Sequence, residues 1–134
     1  MRKLIFATII LATTELLVSF YYPAEAEGFP SVEATPFLLE KVKADEWLLI
    51  DVRTPEEYKQ GHIPGAINMP HNEINGFVEQ LNDAKNKPII IYCRTGRRAT
   101  IAMQMLEQKQ FLRVTHLEGD MMGWTEAGLP VDKM

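Results

Sequence analysis

The chain has 134 residues, which is enough for one domain and no more. Its composition, 46% hydrophobic and 24% charged, is that of a globular protein that can bury a core. The net charge of -4, from 18 acidic and 14 basic residues, argues against general nucleic-acid binding, which needs a basic surface. The single cysteine, Cys93, excludes an internal disulfide and a multi-cysteine metal site.

Residues 1–26 have the layout of a secretory signal peptide. Two basic residues precede an apolar run, and Ala24 and Ala26 then form a small-residue cleavage pattern. An uncleaved membrane anchor is the alternative, but Glu15 would be costly at the centre of a bilayer. We therefore expect export, with cleavage near Ala26, which leaves residues 27–134 as the mature domain.

In the first half of that domain, helical and apolar segments alternate. The segment "VEATPFLLEKVKAD" predicts a short helix and a turn, and the continuous apolar run "EWLLIDV" predicts a strand buried on both faces. Thr54, Pro55 and Glu57 then form a capping box that starts a second helix, which should end near "QGH". A short strand, "GAINMP", follows.

The second half continues the alternation. A helix is predicted in "NEINGFVEQLND", a strand in "KPIIIYC", a helix in "RATIAMQMLEQKQF", a strand in "VTHLE" and a closing helix in "DMMGWTEAGLPV". The apolar faces of the first two helices are expected at Ile74, Phe77, Val78 and Leu81, and at Ile101, Ala102, Met105 and Leu106. The alternation predicts an α/β fold, with an open parallel sheet of four to five strands and helices on both faces.

Ligands of such sheets bind beyond the carboxyl ends of the strands, which is where Cys93 should lie. The stretch "CRTGRRA" would turn there into a helix, with consecutive amides around Gly96 forming an anion-binding nest. Those amides and the side chains of Arg94, Arg97 and Arg98 favour the reactive thiolate and attract an anionic substrate. A solvated arginine surface beside an inert, buried cysteine is the alternative.

Three segments carry motifs in a particular order: "LLIDVRTPEEYKQGHIPGAINMP", "IYCRTGRRA" and "LEGDMMGWTEAGLPV". They resemble the first signature, the active-site loop and the closing segment of the rhodanese family, over about residues 31 to 132. An exported member of this size resembles the periplasmic phage-shock rhodaneses, so we expect a periplasmic location. The closing motif more often has a second glycine where this chain has Asp120. We expect that difference to affect a turn and not the chemistry.

The resemblance implies a thiosulfate sulfurtransferase with Cys93 as the nucleophile. The thiolate would take a sulfur from thiosulfate or another anionic sulfane donor, and the resulting persulfide would pass it to a thiol or to cyanide. Arg98 would orient the donor. The loop residues that would bind the substrate and the persulfide are Arg94, Thr95, Gly96, Arg97, Arg98 and Ala99. The resemblance implies no metal, no cofactor and no nucleic-acid partner; the sequence leaves the oligomeric state open, with a monomer expected.

Two other functions remain open. One is a persulfide carrier or binding module, for which thiosulfate is only a surrogate donor. The other is a phosphatase or an arsenate reductase, whose loops in this superfamily have seven residues and an arginine one place later. Cys93 to Arg98 spans six residues, with Ala99 at the later position, and this favours sulfur transfer.

Asp51 and Arg53 stand at the end of the first apolar run. Charged groups near a buried strand end are usually paired. By resemblance, we expect these two residues to give structural support beneath the loop and not to react.

Overall fold

The computed structural model describes residues 28–134. The predicted signal peptide therefore lies outside the described residues. In the described part, five strands form one sheet in which every pair of neighbours is parallel, in the order β1-β5-β4-β2-β3. The strands are β1 (Ser31–Val32), β2 (Leu48–Asp51), β3 (Ile67–Asn68), β4 (Ile89–Tyr92) and β5 (Val114–Leu117).

Five α-helices accompany these strands; the first four lie between successive strands, and the fifth follows β5. They are α1 (Pro36–Lys43), α2 (Pro55–Gln60), α3 (Val78–Leu81), α4 (Arg97–Gln108) and α5 (Asp120–Glu126). Short 3-10 turns at Ile74–Phe77 and Asn82–Ala84 flank α3. None of the helices within residues 28–134 is both long and apolar enough to cross a membrane.

The sheet lies between two apolar layers, which explains the continuous apolar runs of the central strands. Ile89 and Ile91 pack on one face with residues from α3 and α4, whereas Ile90 and Tyr92 pack on the other face with residues from α1 and α5. Burial of one such side chain contributes about 1.5–3 kcal/mol. The predicted α/β fold, with helices on both faces of a parallel sheet, is confirmed.

The capping box that opens α2 is also confirmed. The Thr54 hydroxyl accepts the Glu57 amide at 3.2 Å, and the Glu57 carboxylate accepts the Thr54 amide at 3.3 Å. Pro55 occupies the first helical position. The box fixes the start of α2, and with it the position of the Glu57 side chain.

Two parts of the local structure were predicted wrongly or not at all. The segment predicted as one helix around "NEINGFVEQLND" is a 3-10 turn, one turn of α-helix and a second 3-10 turn, and Gly76 lies in the first of these. Glycine lowers helix propensity, which accounts for a broken helix in place of a continuous one. The edge strand β1, which pairs with β5, was not predicted at all.

The apolar face of α4 is rotated relative to the prediction. Its buried residues are Ala99, Ala102, Met103 and Leu106, whereas Ile101 is 38% exposed. The residues 99, 102, 103 and 106 also follow the i, i+3, i+4, i+7 pattern, but begin with an alanine. A small side chain at that position lets the first turn of α4 approach the sheet.

Candidate active site

Cys93 follows the last residue of β4, at the carboxyl end of a central strand, and is 1% exposed. The loop after it turns into α4 through Gly96, whose φ of 116° lies in the left-handed region. The Gly96 amide points back and donates a hydrogen bond to Cys93 Sγ at 3.0 Å. A backbone amide at a helix start thus contacts the sulfur directly, which is an arrangement that stabilises negative charge there.

Backbone amides at the start of α5 also bind the loop that follows β4. The Met121 amide donates to the Cys93 carbonyl at 3.0 Å, and the Met122 amide donates to the Arg94 carbonyl at 3.2 Å. These bonds satisfy free amides in the first turn of α5 and fix the backbone of Cys93 and Arg94. The loop is therefore positioned by two helices, α4 and α5.

Asp120 contacts the backbone of Cys93. Its carboxylate is buried, and Oδ1 accepts the Cys93 amide at 3.0 Å. Nε2 of His116 lies 3.0 Å from both carboxylate oxygens, within hydrogen-bond distance of each. Asp120 also adopts a left-handed φ of 53°, at the turn into α5. The expectation that Asp120 affects only a turn was therefore incomplete, because its side chain also anchors Cys93.

Arg98 forms an ion pair with Glu57 that joins α4 to α2. Nη1 and Nη2 of Arg98 donate to the two carboxylate oxygens at 2.6 and 3.0 Å. The hydrogen bond from Arg98 is the main cause that lowers the pKa of Glu57 to about 2, and Glu57 in turn raises the pKa of Arg98. Arg98 thus has a fixed protein partner, and its role in orienting a donor stays a prediction.

The other loop residues differ in exposure. Arg94, Thr95 and Arg97 are exposed, and Ala99 is fully buried. Within residues 28–134, neither Arg94 nor Arg97 forms a salt bridge. These two arginines are the cations of the loop that remain free to meet an anion in solution.

Asp51 and Arg53 pair with each other in a buried position. Arg53 Nη2 lies 2.7 Å from Asp51 Oδ2 and also donates to the Gly61 carbonyl at 2.6 Å. The hydroxyl of Tyr92, which accepts the Ile63 amide at 3.1 Å, has its pKa raised by burial and by the charge of Asp51. The pair of Asp51 and Arg53 thus joins the end of β2 to the turn after α2. Its support of the active loop stays a prediction.

A cleft of about 610 Å³ opens beside the loop, between α2, α5 and the C-terminal segment. Its charged and polar lining comes from Arg53, Glu57, Gln60, Arg94, Thr125 and Lys133. Met121, Met122 and Val131 supply apolar surface. No group of three or more acidic, histidine or cysteine side chains that could hold a metal ion occurs within the described part of the chain.

The partners of the site residues were not predicted from the sequence. Glu57 was recognised only as a capping residue and His116 was not assigned a role, because their contacts depend on how distant segments pack. The one available signal was Asp120, which departs from the glycine of the closing motif.

The chain that holds this buried cysteine, at a strand end and facing a helix N-terminus, has a sequence that matches a known family. The family model of the rhodanese-like domain matches residues 35–127. The chain belongs to the rhodanese-like domain family. A sulfurtransferase from Allochromatium vinosum is 37% identical over 87 residues, which are 65% of this chain and 79% of that protein. The thiosulfate sulfurtransferase PspE of Escherichia coli is 35% identical over 86 residues, 64% of this chain and 81% of that protein.

Solved rhodanese structures have the same fold. A rhodanese-related protein from Thermoplasma volcanium superposes with a TM-score of 0.67 at 30% identity, covering 79% of this chain and 100% of that one. An Escherichia coli rhodanese with anions gives a TM-score of 0.54 at 30% identity, covering 66% and 99%. Family membership and the named relatives together support sulfur transfer as the general activity of this rhodanese-like chain.

Proposed function

We propose that this protein is a thiosulfate sulfurtransferase that works through a persulfide on Cys93. The observation that carries the proposal is the hydrogen bond from the Gly96 amide to Cys93 Sγ at 3.0 Å, at the carboxyl end of β4. A sulfur atom held this way by a backbone donor suits a reaction in which negative charge must rest on sulfur. The relative named as a thiosulfate sulfurtransferase supports the choice of donor.

The reaction has two steps, and each conserves atoms and charge. The Cys93 thiolate attacks the outer sulfur of thiosulfate, the sulfur–sulfur bond of the donor breaks, and sulfite leaves with the bonding electron pair. The persulfide anion then remains on Cys93. In the second step, a thiolate or cyanide attacks the outer sulfur, and the Cys93 thiolate is regenerated.

The two exposed arginines of the loop suit the first step, in which an anionic donor must reach Cys93. Thiosulfate and sulfite each carry two negative charges, and Arg94 and Arg97 are exposed at the loop without a salt-bridge partner among residues 28–134. Their positive field favours the arrival of the donor. Arg98, which is paired with Glu57, would act by fixing the start of α4, in addition to the donor contact expected from the sequence.

Steady-state kinetics tests this proposal. With thiosulfate and cyanide varied together, we expect the parallel double-reciprocal lines of a ping-pong mechanism, and we expect Cys93→Ser to be inactive. Intersecting lines, or activity that persists in Cys93→Ser, would overturn the proposed mechanism. Hydrolysis of an aryl phosphate at a comparable rate would favour the phosphatase alternative.

A persulfide carrier is the second candidate. One relative, the putative sulfur carrier protein YrkF of Bacillus subtilis, is 35% identical over 101 residues, which are 75% of this chain and 53% of that protein. A carrier would form the same persulfide and release it slowly to small acceptors but quickly to a protein thiol. Comparison of these two release rates therefore separates the carrier from the enzyme.

We further propose that the protein acts after export, in the periplasm. The proposal rests on the sequence pattern of residues 1–26 alone. Fractionation of cells that produce the full chain, with N-terminal sequencing of the product, tests it. A product that starts near residue 27 is expected, and a full-length product in the cytosol would contradict it.

A further inference from the structure

The cleft beside the active loop is much larger than a sulfane donor needs. Its volume is about 610 Å³. An anion of thiosulfate's size takes the room of a few water molecules, at roughly 30 Å³ each. Clefts of this larger size hold organic molecules, which usually occupy about 300–1,000 Å³. The extra room is therefore unexplained by the donor.

The charges in the cleft select the kind of molecule that fits. Of its four charged side chains, Arg53 is neutralised by Asp51, and Glu57 is neutralised by Arg98. Arg94 and Lys133 form no salt bridge within the described residues. Two uncompensated cations therefore remain, one in the active loop and one in the C-terminal segment, and they fit a ligand with acidic groups.

The rest of the lining suits a short carbon skeleton. Met122 is 43% exposed and Val131 is 36% exposed, and both border the cleft with Met121. Methionine side chains adapt to irregular ligand shapes because they are flexible and polarizable. An acidic molecule with a few methylene groups would satisfy both the cations and this apolar surface.

Arg94, the residue that follows the nucleophile, lines the cleft, whereas Cys93 does not. Cys93 itself is 1% exposed, so its Sγ is a poor target for a bulky acceptor. A persulfide extends the side chain by one sulfur–sulfur bond of about 2 Å. The outer sulfur, and not Sγ, is thus the atom that a molecule in the cleft would meet.

We propose that this cleft is the acceptor site and that it selects a small thiol carrying carboxylates. The inference rests on the proposed sulfur transfer and adds the class of acceptor. Carboxylates of the acceptor pair with Arg94 and Lys133, and its methylene groups lie on Met122. The acceptor thiolate attacks the outer sulfur, the bond between that sulfur and Cys93 Sγ breaks, and the products are an acceptor persulfide and the Cys93 thiolate.

Single-turnover transfer from loaded protein tests the proposal. Wild type, Lys133→Gln, Lys133→Glu and the control Lys109→Gln are loaded with persulfide, and loading is verified by intact mass. Each is then mixed with mercaptosuccinate, 2-mercaptoethanol or cysteamine, which are acidic, neutral and cationic thiols. The readout is the rate with mercaptosuccinate divided by the rate with each of the other two thiols. Because each variant is compared with wild type, differences in intrinsic thiol reactivity cancel.

We expect this acidic-to-neutral ratio to fall about three- to tenfold in Lys133→Gln, the range expected for loss of one nearby charge at a partly solvated site. In Lys133→Glu, transfer to cysteamine should rise above wild type, which damage to the fold would not produce. Lys109, an exposed lysine after α4 that does not line the cleft, should leave the ratio unchanged when replaced.

Two results would overturn the inference, and they are distinguishable. If wild type loads persulfide but the ratio is the same in all four proteins, the cleft does not select acidic acceptors, and sulfur transfer itself is unaffected. If wild type does not load persulfide, the proposed function fails, and the acceptor site fails with it.

Discussion

The carboxylate of Asp120 accepts the backbone amide of Cys93 at 3.0 Å, so the closing segment of the chain holds Cys93 directly. The carboxylate is 2% exposed and its second partner is His116. A hydrogen bond from a buried amide to a charged acceptor contributes about 1.5–3 kcal/mol. The geometry around Cys93 therefore depends on a residue that does not face the solvent.

Two replacements of Asp120 should show whether activity depends on its hydrogen bond to the Cys93 amide or on its negative charge. In Asp120→Gly the Cys93 amide loses its acceptor, and we expect kcat/KM for thiosulfate to fall about tenfold, which corresponds to about 1.4 kcal/mol. Asp120→Asn keeps an acceptor oxygen and should retain most of the activity. Thermal unfolding of both variants serves as the control for folding. Wild-type activity in Asp120→Gly would show that this anchor is unnecessary.

Gly96→Ala should disable the loop. At φ of 116° an alanine is strained, and its Cβ would lie 3.2 Å from Asp120 Oδ2 and 3.7 Å from the His116 ring. Strain of this kind costs about 1–3 kcal/mol, and its relief would move the amide that contacts Cys93 Sγ. We expect persulfide formation to slow by at least about tenfold in a stopped-flow assay with thiosulfate.

Gly76→Ala is the matched control, since an added Cβ there meets nothing within 4 Å. It should react at the wild-type rate. Equal rates for the two alanine variants would contradict the importance of the Gly96 amide.

The pair of Glu57 and Arg98 should give the protein an acid-dependent share of its stability. Folding lowers the pKa of Glu57 from 4.5 to about 2, chiefly through the hydrogen bond from Arg98. A lowered carboxyl pKa stabilises the fold above the unfolded value, and this contribution is lost as the pH falls through the range from about 4.5 to about 2. Because both side chains are partly exposed, we expect only about 1 kcal/mol at neutral pH.

Urea unfolding of wild type and Glu57→Gln checks the contribution of the Glu57–Arg98 pair to stability. The difference in free energy of unfolding should be constant from about pH 7 to about pH 5 and should shrink below that. A difference that does not change on acidification would mean that Glu57 gains no stability from its pairing with Arg98.

Arg94→Gln should weaken donor binding. Arg94 is exposed at the loop, and removal of its charge should raise KM for thiosulfate about three- to tenfold. Added salt should raise KM more for wild type than for the variant, because salt screens the attraction that Arg94 supplies. Lys109→Gln, which removes a charge just after the end of α4 and away from the cleft, should behave as wild type. The same KM and salt response in Arg94→Gln would exclude a steering role.

Local signals in the sequence were sufficient to predict most of the strands and helices of the fold. The apolar runs of β2 and β4 and the capping box at Thr54 lie within a few residues and dictate their own structure. The strand β1 has only two residues and exists because it pairs with β5, far along the chain. Its formation depends on that distant partner, and nothing in its own residues predicts it.

The site likewise has features that follow from local sequence and contacts that join distant residues. The position of Cys93 and the turn at Gly96 follow from a strand that ends before a helix. The contacts of Asp120 with Cys93 and of Glu57 with Arg98 join residues 27 and 41 positions apart, and no periodic pattern encodes them. The sequence therefore predicts the place of Cys93 at the strand end, but not the residues that hold its loop.

The most direct test of the account is the intact mass of the protein before and after thiosulfate. Wild type should gain one sulfur atom, cyanide should remove it, and Cys93→Ser should gain nothing. An unchanged mass in wild type, with Cys93 still open to alkylation, would contradict the account, because the loop would then bind anions without accepting sulfur.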